Sequence, residues 1–462
     1  MPLTMTGFTG YLLDPSSLTI LATAGALGVL VWYTVVVIYR IAFHPLAHIP
    51  GPFLAKATNL YSFYFNGILD GKFYLQVEKL HQIYGPVVRI TPDEIHLSNP
   101  EHYDEIYHVG TKYNKSAPFY DAFGVDKATF TTADNNIHRM KRAAFNPFFS
   151  RKRVLELEDI VQSKAKTLVK RISTALESCG GIDLHHGFRA ISIDVISDYA
   201  FDNCYNFLEK DDFDAAFFDM IRGFGPMFWL FQQVPFMRPI LLGIPLWMAK
   251  LTSPALTRML LFHQSSREQV TRVKRQVEAN EKPERPTIFH QFLNPEFMKG
   301  DIPTIEQLKD EAYIVVAAAA DTTGNAMTVA LYHTVSSPKI YATVTAELRE
   351  AFPDPDGDID LVTLERLPYF NSIIKEALRL SYGVVGRLPR VVPEPGAQFD
   401  GYEVPAGTIV GMSSWTMHRN QEIFPDPDKF DPSRWLDPAA STELERFLVA
   451  FSKGSRACVG MQ

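Results

Sequence analysis

Apolar positions recur at helical spacing over most of the chain, and only short stretches alternate as strands do. Helices are predicted over Phe73–Tyr84, His138–Phe148, Leu155–Leu176, Phe188–Phe201, Ser265–Ala279, Ile305–Val335, Pro338–Ala351 and Pro368–Leu380. Val87-Val88-Arg89-Ile90-Thr91 and Ile95-His96-Leu97-Ser98 flank Pro92-Asp93-Glu94, which predicts a β-hairpin. Short strands are also predicted around Phe399-Asp400-Gly401-Tyr402 and Gly407-Thr408-Ile409-Val410. No repeat, low-complexity tract or long flexible linker divides residues 53–462, so they read as one large, mainly α domain with small β-sheets.

The clearest helix begins at Thr304-Ile305-Glu306-Gln307, a capping box, and stops at Ser337-Pro338, which opens the next helix. Tyr313 to Ala320 carries no charge on any face, the mark of a buried helix. Asp321, at the end of that stretch, therefore needs a reason to be there.

Leu18 to Tyr39 is also free of charge. At roughly 1.5 Å per residue this run spans about 33 Å, enough for a hydrocarbon core of about 30 Å. Asp14 precedes it and Arg40 and Lys56 follow, which places the N-terminus outside and the body in the cytosol. A cleaved signal peptide would carry a basic leading segment and a shorter apolar stretch. The organisation expected is a short luminal N-terminus (1–17), a transmembrane anchor (18–39), a Pro-rich linker (40–52) and a catalytic body (53–462). His44-Pro45-Leu46-Ala47-His48-Ile49-Pro50-Gly51-Pro52 cannot continue a helix.

Composition adds exclusions. At 46% hydrophobic and 21% charged the chain is globular, and a net charge of −7 argues against a nucleic-acid binder. Three cysteines, Cys179, Cys204 and Cys458, give no disulfide framework and fit a reducing compartment. The 33 Phe and 19 Tyr suit a large apolar cavity, although aromatics fill any core.

Three groups of residues carry chemistry. In Phe451-Ser452-Lys453-Gly454-Ser455-Arg456-Ala457-Cys458-Val459-Gly460 the glycines allow a tight loop whose N–H groups can point at the Cys458 sulfur. A thiolate so held can ligate haem iron, and Arg456 can pair with a propionate. Most lone cysteines near a turn are merely structural. Glu376 and Arg379 lie three apart on one helix, a spacing that by itself is a weak surface ion pair. In Ala318-Ala319-Ala320-Asp321-Thr322-Thr323, Thr322 can bond back to the carbonyl of Ala318 or release it and open the helix.

The cysteine stretch resembles the haem-thiolate pattern of cytochromes P450, Phe-x-x-Gly-x-Arg-x-Cys-x-Gly, at every fixed position. The resemblance covers nearly the whole chain. It implies the P450 fold with an N-terminal transmembrane helix, haem b on Cys458 with Phe451 beside it, and NADPH electrons delivered by NADPH–cytochrome P450 reductase. It places His138, Arg142, Arg390 and Arg456 on the haem propionates, with His138 where Trp is common. It joins Glu376 and Arg379 to Arg434 in a structural network, and gives Asp321 and Thr322 the delivery of protons to bound O2. Ala319 stands where the family usually has Gly. Phe119, Tyr120, Phe123, Ala318, Val384 and Val385 would line the substrate pocket, which favours a small apolar substrate such as a terpenoid or polyketide.

Gly454-Ser455-Arg456, His138 and Leu378 to Gly383 are most similar to fungal secondary-metabolism members, the trichodiene oxygenase type nearest, at the endoplasmic-reticulum membrane. A basic stretch with Arg139, Lys141, Arg142, Arg151, Lys152 and Arg153 could dock the acidic reductase. Phe224–Met259 reads either as core or as an entrance dipping into the bilayer. The chain stops at Gln462, four residues beyond Cys458, whereas family members continue. A truncated form that holds haem weakly, a non-catalytic relic, and a P450 isomerase or dehydratase are therefore the alternatives.

Overall fold

A computed structural model describes residues 15–461 apart from 179, 202, 282–285, 299–301 and 355–356. Asp14, Cys179 and Gln462 thus lie outside the described residues. The apolar N-terminal run forms helix α1 (Pro15–Ile38), and a π-helical turn over Tyr39–Phe43 continues it. Helical geometry therefore reaches Phe43 rather than ending at Tyr39, and stops where Pro45 can offer no N–H. Leu18–Phe43 has a mean hydropathy of 2.1 and buries nothing against the body, so it is a candidate membrane anchor.

The Pro-rich segment after it is docked on the body. Leu46 and Ile49 are buried, and Arg89 donates to the carbonyls of Arg40 (2.9 Å), Leu46 (3.2 Å) and Pro92 (2.7 Å). Buried arginine is tolerable here because carbonyl oxygens satisfy its donors.

The strands are β1 (Val87–Thr91), β2 (Glu94–Leu97), β3 (Asn114–Lys115), β4 (Arg390–Val391), β5 (Ala397–Phe399), β6 (Tyr402–Val404) and β7 (Ile409–Gly411). They form a five-stranded sheet ordered β1-β2-β7-β4-β3 and the hairpin β5-β6. β2 and β7 run parallel; the other pairs are antiparallel. The principal helices are α2 (Asn135–Phe145), α3 (Leu184–Phe201), α4 (Ala215–Gln233), α5 (Pro254–Glu278), α6 (Ile305–Ser336) and α7 (Pro368–Ser381).

Helix α6 is the axis of the fold. Its capping box forms as predicted: Gln307 N–H donates to Thr304 Oγ1 at 3.3 Å, and Gln307 Oε1 accepts from Thr304 N–H at 2.8 Å. It passes the same apolarity test as the N-terminal run, but Leu308, Ala312, Tyr313, Val316 and Ala320 are buried in the helical core. Helix α5 starts at Pro254, well before the predicted Ser265, with Ser253 Oγ capping Leu256 N–H at 3.2 Å.

A second apolar core lies beneath the sheet, built from Leu46, Ile95, Leu97, Tyr107, Val410, Met412 and Val449. Val449 belongs to this core and Val459 packs on the helical one. The cysteine loop between them therefore bridges the two halves of the fold.

Candidate active site

The loop is closed by Cys458 N–H on the Phe451 carbonyl (2.8 Å) and Ala457 N–H on that of Gly454 (3.1 Å). These two N–H groups are therefore engaged in closing the loop. Gly454 has φ +68°, and a Cβ there would sit 2.3 Å from the Tyr107 carbonyl oxygen and 2.4 Å from that of His108. Only glycine fits. Arg142 Nη1, from α2, donates to Ala457 O at 2.9 Å. Cys458 itself is exposed.

Around this loop five basic side chains converge: Lys115 from β3, His138 and Arg142 from α2, Arg390 from β4, and Arg456. Lys115 and Arg390 are direct cross-strand partners and both are buried, an arrangement that is unfavourable for like charges. Among the described residues none of the five forms an ion pair with a carboxylate. Arg456 donates to Thr132 O (2.7 Å), Ala133 O (2.7 Å) and Asn135 Oδ1 (2.8 Å). Arg390 Nη1 reaches Tyr120 Oη at 3.0 Å, while its Nε is buried without a partner.

Burial and mutual repulsion act on the titration of the cluster. Burial, then Arg456 and Lys115, drive the His138 imidazole down to about 3. Burial, then Arg390 and Arg456, hold the Lys115 ammonium well below its usual range. Burial, then Arg390, lowers Arg456 to about 10. Such a cluster is stable only opposite an anion.

On α6, Ala318, Thr322 and Thr323 are exposed, next to the buried Ala320 and Gly324. Thr322 Oγ1 donates to Ala318 O at 3.0 Å, so the helix is closed there rather than opened. A Cβ on Gly383 would lie 3.4 Å from Thr322 Cγ2, which puts the Val384-Val385 loop beside this threonine, with Val384 itself exposed. Asp321 forms an ion pair with the buried Arg189 of α3, and Arg222 of α4 stands 3.6 Å away. Phe119 and Phe123 pack edge-on and tilted against Phe228 of α4, at 5.3 and 4.7 Å between ring centres. Tyr120 is placed with the cations instead, its ring 4.1 Å from Lys115 Nζ.

Glu376 and Arg379 are fully buried, bonded through Nε (2.9 Å) and Nη2 (2.8 Å). Arg434 Nε (3.3 Å), Trp435 Nε1 (3.0 Å) and Asp431 N–H (2.9 Å) complete the shell of Glu376. Arg379 O accepts from His418 Nδ1, whose Nε2 accepts from Val449 N–H, both at 2.9 Å. The network thus reaches Val449, in the irregular segment that leads into the cysteine loop.

Burial holds the His418 imidazole at about 3, against about 6.5 unfolded. Below about pH 6.5 the unfolded chain takes up a proton that the folded chain refuses. Stability should therefore fall as the pH drops from about 6.5 towards 3, by on the order of 1 kcal/mol per unit. Melts at about pH 7 and pH 5 should show a smaller acid loss for His418→Asn than for wild type; equal losses would exclude His418 as the source.

Residues 50–462 match the cytochrome P450 family. A cytochrome P450 monooxygenase of Ascocoryne sarcoides is 35% identical over 96% of this chain and 89% of its own length. The tryptophan 6-hydroxylase of Fusarium equiseti is 34% identical (92% and 83%), and the conidiogenone synthase of Penicillium rubens 33% (92% and 85%). The chain belongs to the cytochrome P450 family and is a monooxygenase, an oxidoreductase of the haem-thiolate kind that takes its electrons from a reductase. The residues present fit haem: a buried cationic cluster with an unpartnered Arg390 Nε asks for the two carboxylates that haem carries. Lys115, Arg189, Arg222 and His418 are site or network residues that the sequence did not reveal, since each sits in a stretch with no motif of its own, whereas Trp435 follows Arg434 directly in the Pro432-Ser433-Arg434-Trp435 run.

Proposed function

We propose that the chain inserts one oxygen atom of O2 into a C–H or C=C bond of a terpenoid or polyketide, using NADPH electrons passed through an acidic flavoprotein reductase at the endoplasmic-reticulum membrane. The observation that carries this reading is an exposed cysteine in a loop around which five basic groups converge without a carboxylate partner among the described residues. Haem iron, when bound, activates O2 for this insertion. In the proposal Cys458 holds the iron, and Lys115, His138, Arg142, Arg390 and Arg456 orient the propionates. Phe119, Phe123, Ala318, Val384 and Val385 offer a substrate no charge, so they select by shape and apolar area. A ferrous–CO difference spectrum with the red-shifted Soret band of thiolate ligation, followed by 18O2 incorporation into product, tests it. A spectrum without that band overturns it.

Thr322 Oγ1 would hold the proton that reaches bound oxygen, and Asp321 would resupply it. In the closed helix the Thr322 hydroxyl hydrogen is engaged on Ala318 O, so delivery requires the hydroxyl to swing away. Thr322→Ala is expected to keep haem but to divert electrons into peroxide, with coupling reduced at least roughly tenfold. Normal coupling would assign delivery elsewhere.

The membrane contact extends beyond the anchor. In the stretch 224–259, Phe228, Phe231 and Met259 are core, whereas Phe236, Trp247 and Leu251 are more than 60% exposed. Three large apolar side chains so displayed suit a bilayer surface. Removing residues 1–43 should leave the body partly bound to lipid vesicles, and adding Trp247→Ser and Leu251→Ser should release it. Full release by the deletion alone would rule out the second contact. On the basic stretch, Arg151, Arg153 and Lys453 are paired with Glu365, Glu156 and Asp104, which leaves exposed Arg139 and Lys152 to meet a reductase.

A further inference from the structure

Helix α3 meets α6 along one polar stripe. His185, Arg189 and Ser192 are spaced i, i+4, i+7 and so share a face. They touch α6 in antiparallel order. His185 Nδ1 lies 3.2 Å from Thr328 Oγ1, Arg189 pairs with Asp321, and Ser192 Oγ donates to the carbonyl of Ala319 at 2.8 Å. Between the first two contacts the backbones nearly touch. A Cβ on Gly324 would lie 2.6 Å from Arg189 Cγ and 2.9 Å from its Cα.

The Ser192 bond falls where α6 is hardest to open. Residues 317–320 are four consecutive alanines, the best helix formers, and a break there abandons backbone bonds in a sequence that favours them. The carbonyls of Ala318 and Ala319 each receive a side-chain hydroxyl in addition to the helical N–H, from Thr322 and Ser192 respectively. A carbonyl with a second donor is not orphaned when the helical N–H leaves. On the far side, the Asp321, Gly324 and Thr328 contacts hold the next two turns in place, so that opening is confined to the alanine segment.

We propose that Ser192 is a positioning residue for oxygen activation. Its hydroxyl keeps the Ala319 carbonyl satisfied, so that the helical bond from the Thr323 N–H to that carbonyl loosens without the helix melting further. This rests on the reading that Thr322 serves bound O2, and deepens it. A chain with Ala319 in place of the more permissive glycine has the greater need of such support.

The test uses the full anchored chain with haem, comparing Ser192→Ala with Ser192→Thr, which keeps the hydroxyl. In the alanine variant the Thr323 amide should exchange its hydrogen more slowly, by about fivefold, because opening is now costlier. Product formed per NADPH should fall at least roughly threefold while the ferrous–CO spectrum keeps its intensity. The threonine variant should restore both. Unchanged exchange and coupling in Ser192→Ala would overturn the proposal. So would loss of the ferrous–CO spectrum, which would make Ser192 a packing residue. Thr322→Ala, run in parallel, separates the two claims: undisturbed coupling there refutes the role of Thr322, whereas the exchange measurement judges Ser192 without reference to turnover.

Discussion

Replacing Cys458 by alanine is expected to remove the thiolate spectrum and all turnover. The loop offers no other sulfur, and the basic side chains around it supply no anion: even His138, a neutral imidazole, would give iron no thiolate band. A thiolate would supply haem iron with the electron density that oxygen activation needs, so a neutral ligand in its place would not rescue the chemistry. Cys204 provides the control. It is half-buried, Lys164 Nζ approaches its sulfur to 3.1 Å, and Asn206 N–H donates to it at 3.4 Å. Burial pushes its thiol up, as for a packing residue. Cys204→Ser should therefore leave the ferrous–CO spectrum intact. A thiolate band surviving Cys458→Ala, or vanishing in Cys204→Ser, would move the site.

The second large effect concerns stability rather than chemistry. Glu376→Ala leaves the Arg379 guanidinium in a site with no solvent and no countercharge, and removes an acceptor from Arg434, Trp435 and the Asp431 amide. Breaking a buried pair from one side costs about 3–5 kcal/mol, a large part of the roughly 5–15 kcal/mol that a domain possesses. The variant is expected to accumulate as haem-poor, aggregation-prone protein. Urea unfolding within about 1 kcal/mol of wild type would show that the network relaxes around the loss. Arg379→Leu should be milder in charge terms but still leaves the carbonyls of His418, Pro427 and Lys429 without their donor.

Spacing alone rated the Glu376–Arg379 pair as a surface contact; the structure puts it at zero exposure. The difference is tertiary: only the return of the 418–435 segment over α7 buries it. Local signals fared better wherever the physics was local. The Thr304 capping box, the Pro92-Asp93 turn and the Pro338 helix start each act over a few residues, and each was legible. The Ser253-Pro254 start of α5 was equally local, but the apolar run around it masked the cap. Convergence was not legible. Lys115 meets Arg390 only through a strand pairing across some 275 residues, and Asp321 finds Arg189 132 residues away. The family pattern supplied Arg390 and Arg456, yet it offered no hint of the lysine opposite them.

The way Arg89 grips the chain after the candidate anchor has a mechanical consequence. A limp tether would let the body tumble independently of the apolar helix. Here the guanidinium clasps the carbonyls of Arg40 and Leu46, while Arg40 itself reaches back to Ala57 O at 2.9 Å. With the helical turn running on to Phe43, the anchor joins the sheet through a short, stiff joint, so that it acts as a lever. Any tilt of the apolar helix is passed to the body as a change of heading. The face carrying the exposed Phe236, Trp247 and Leu251 then keeps one bearing relative to that helix, whatever surroundings the helix is set in.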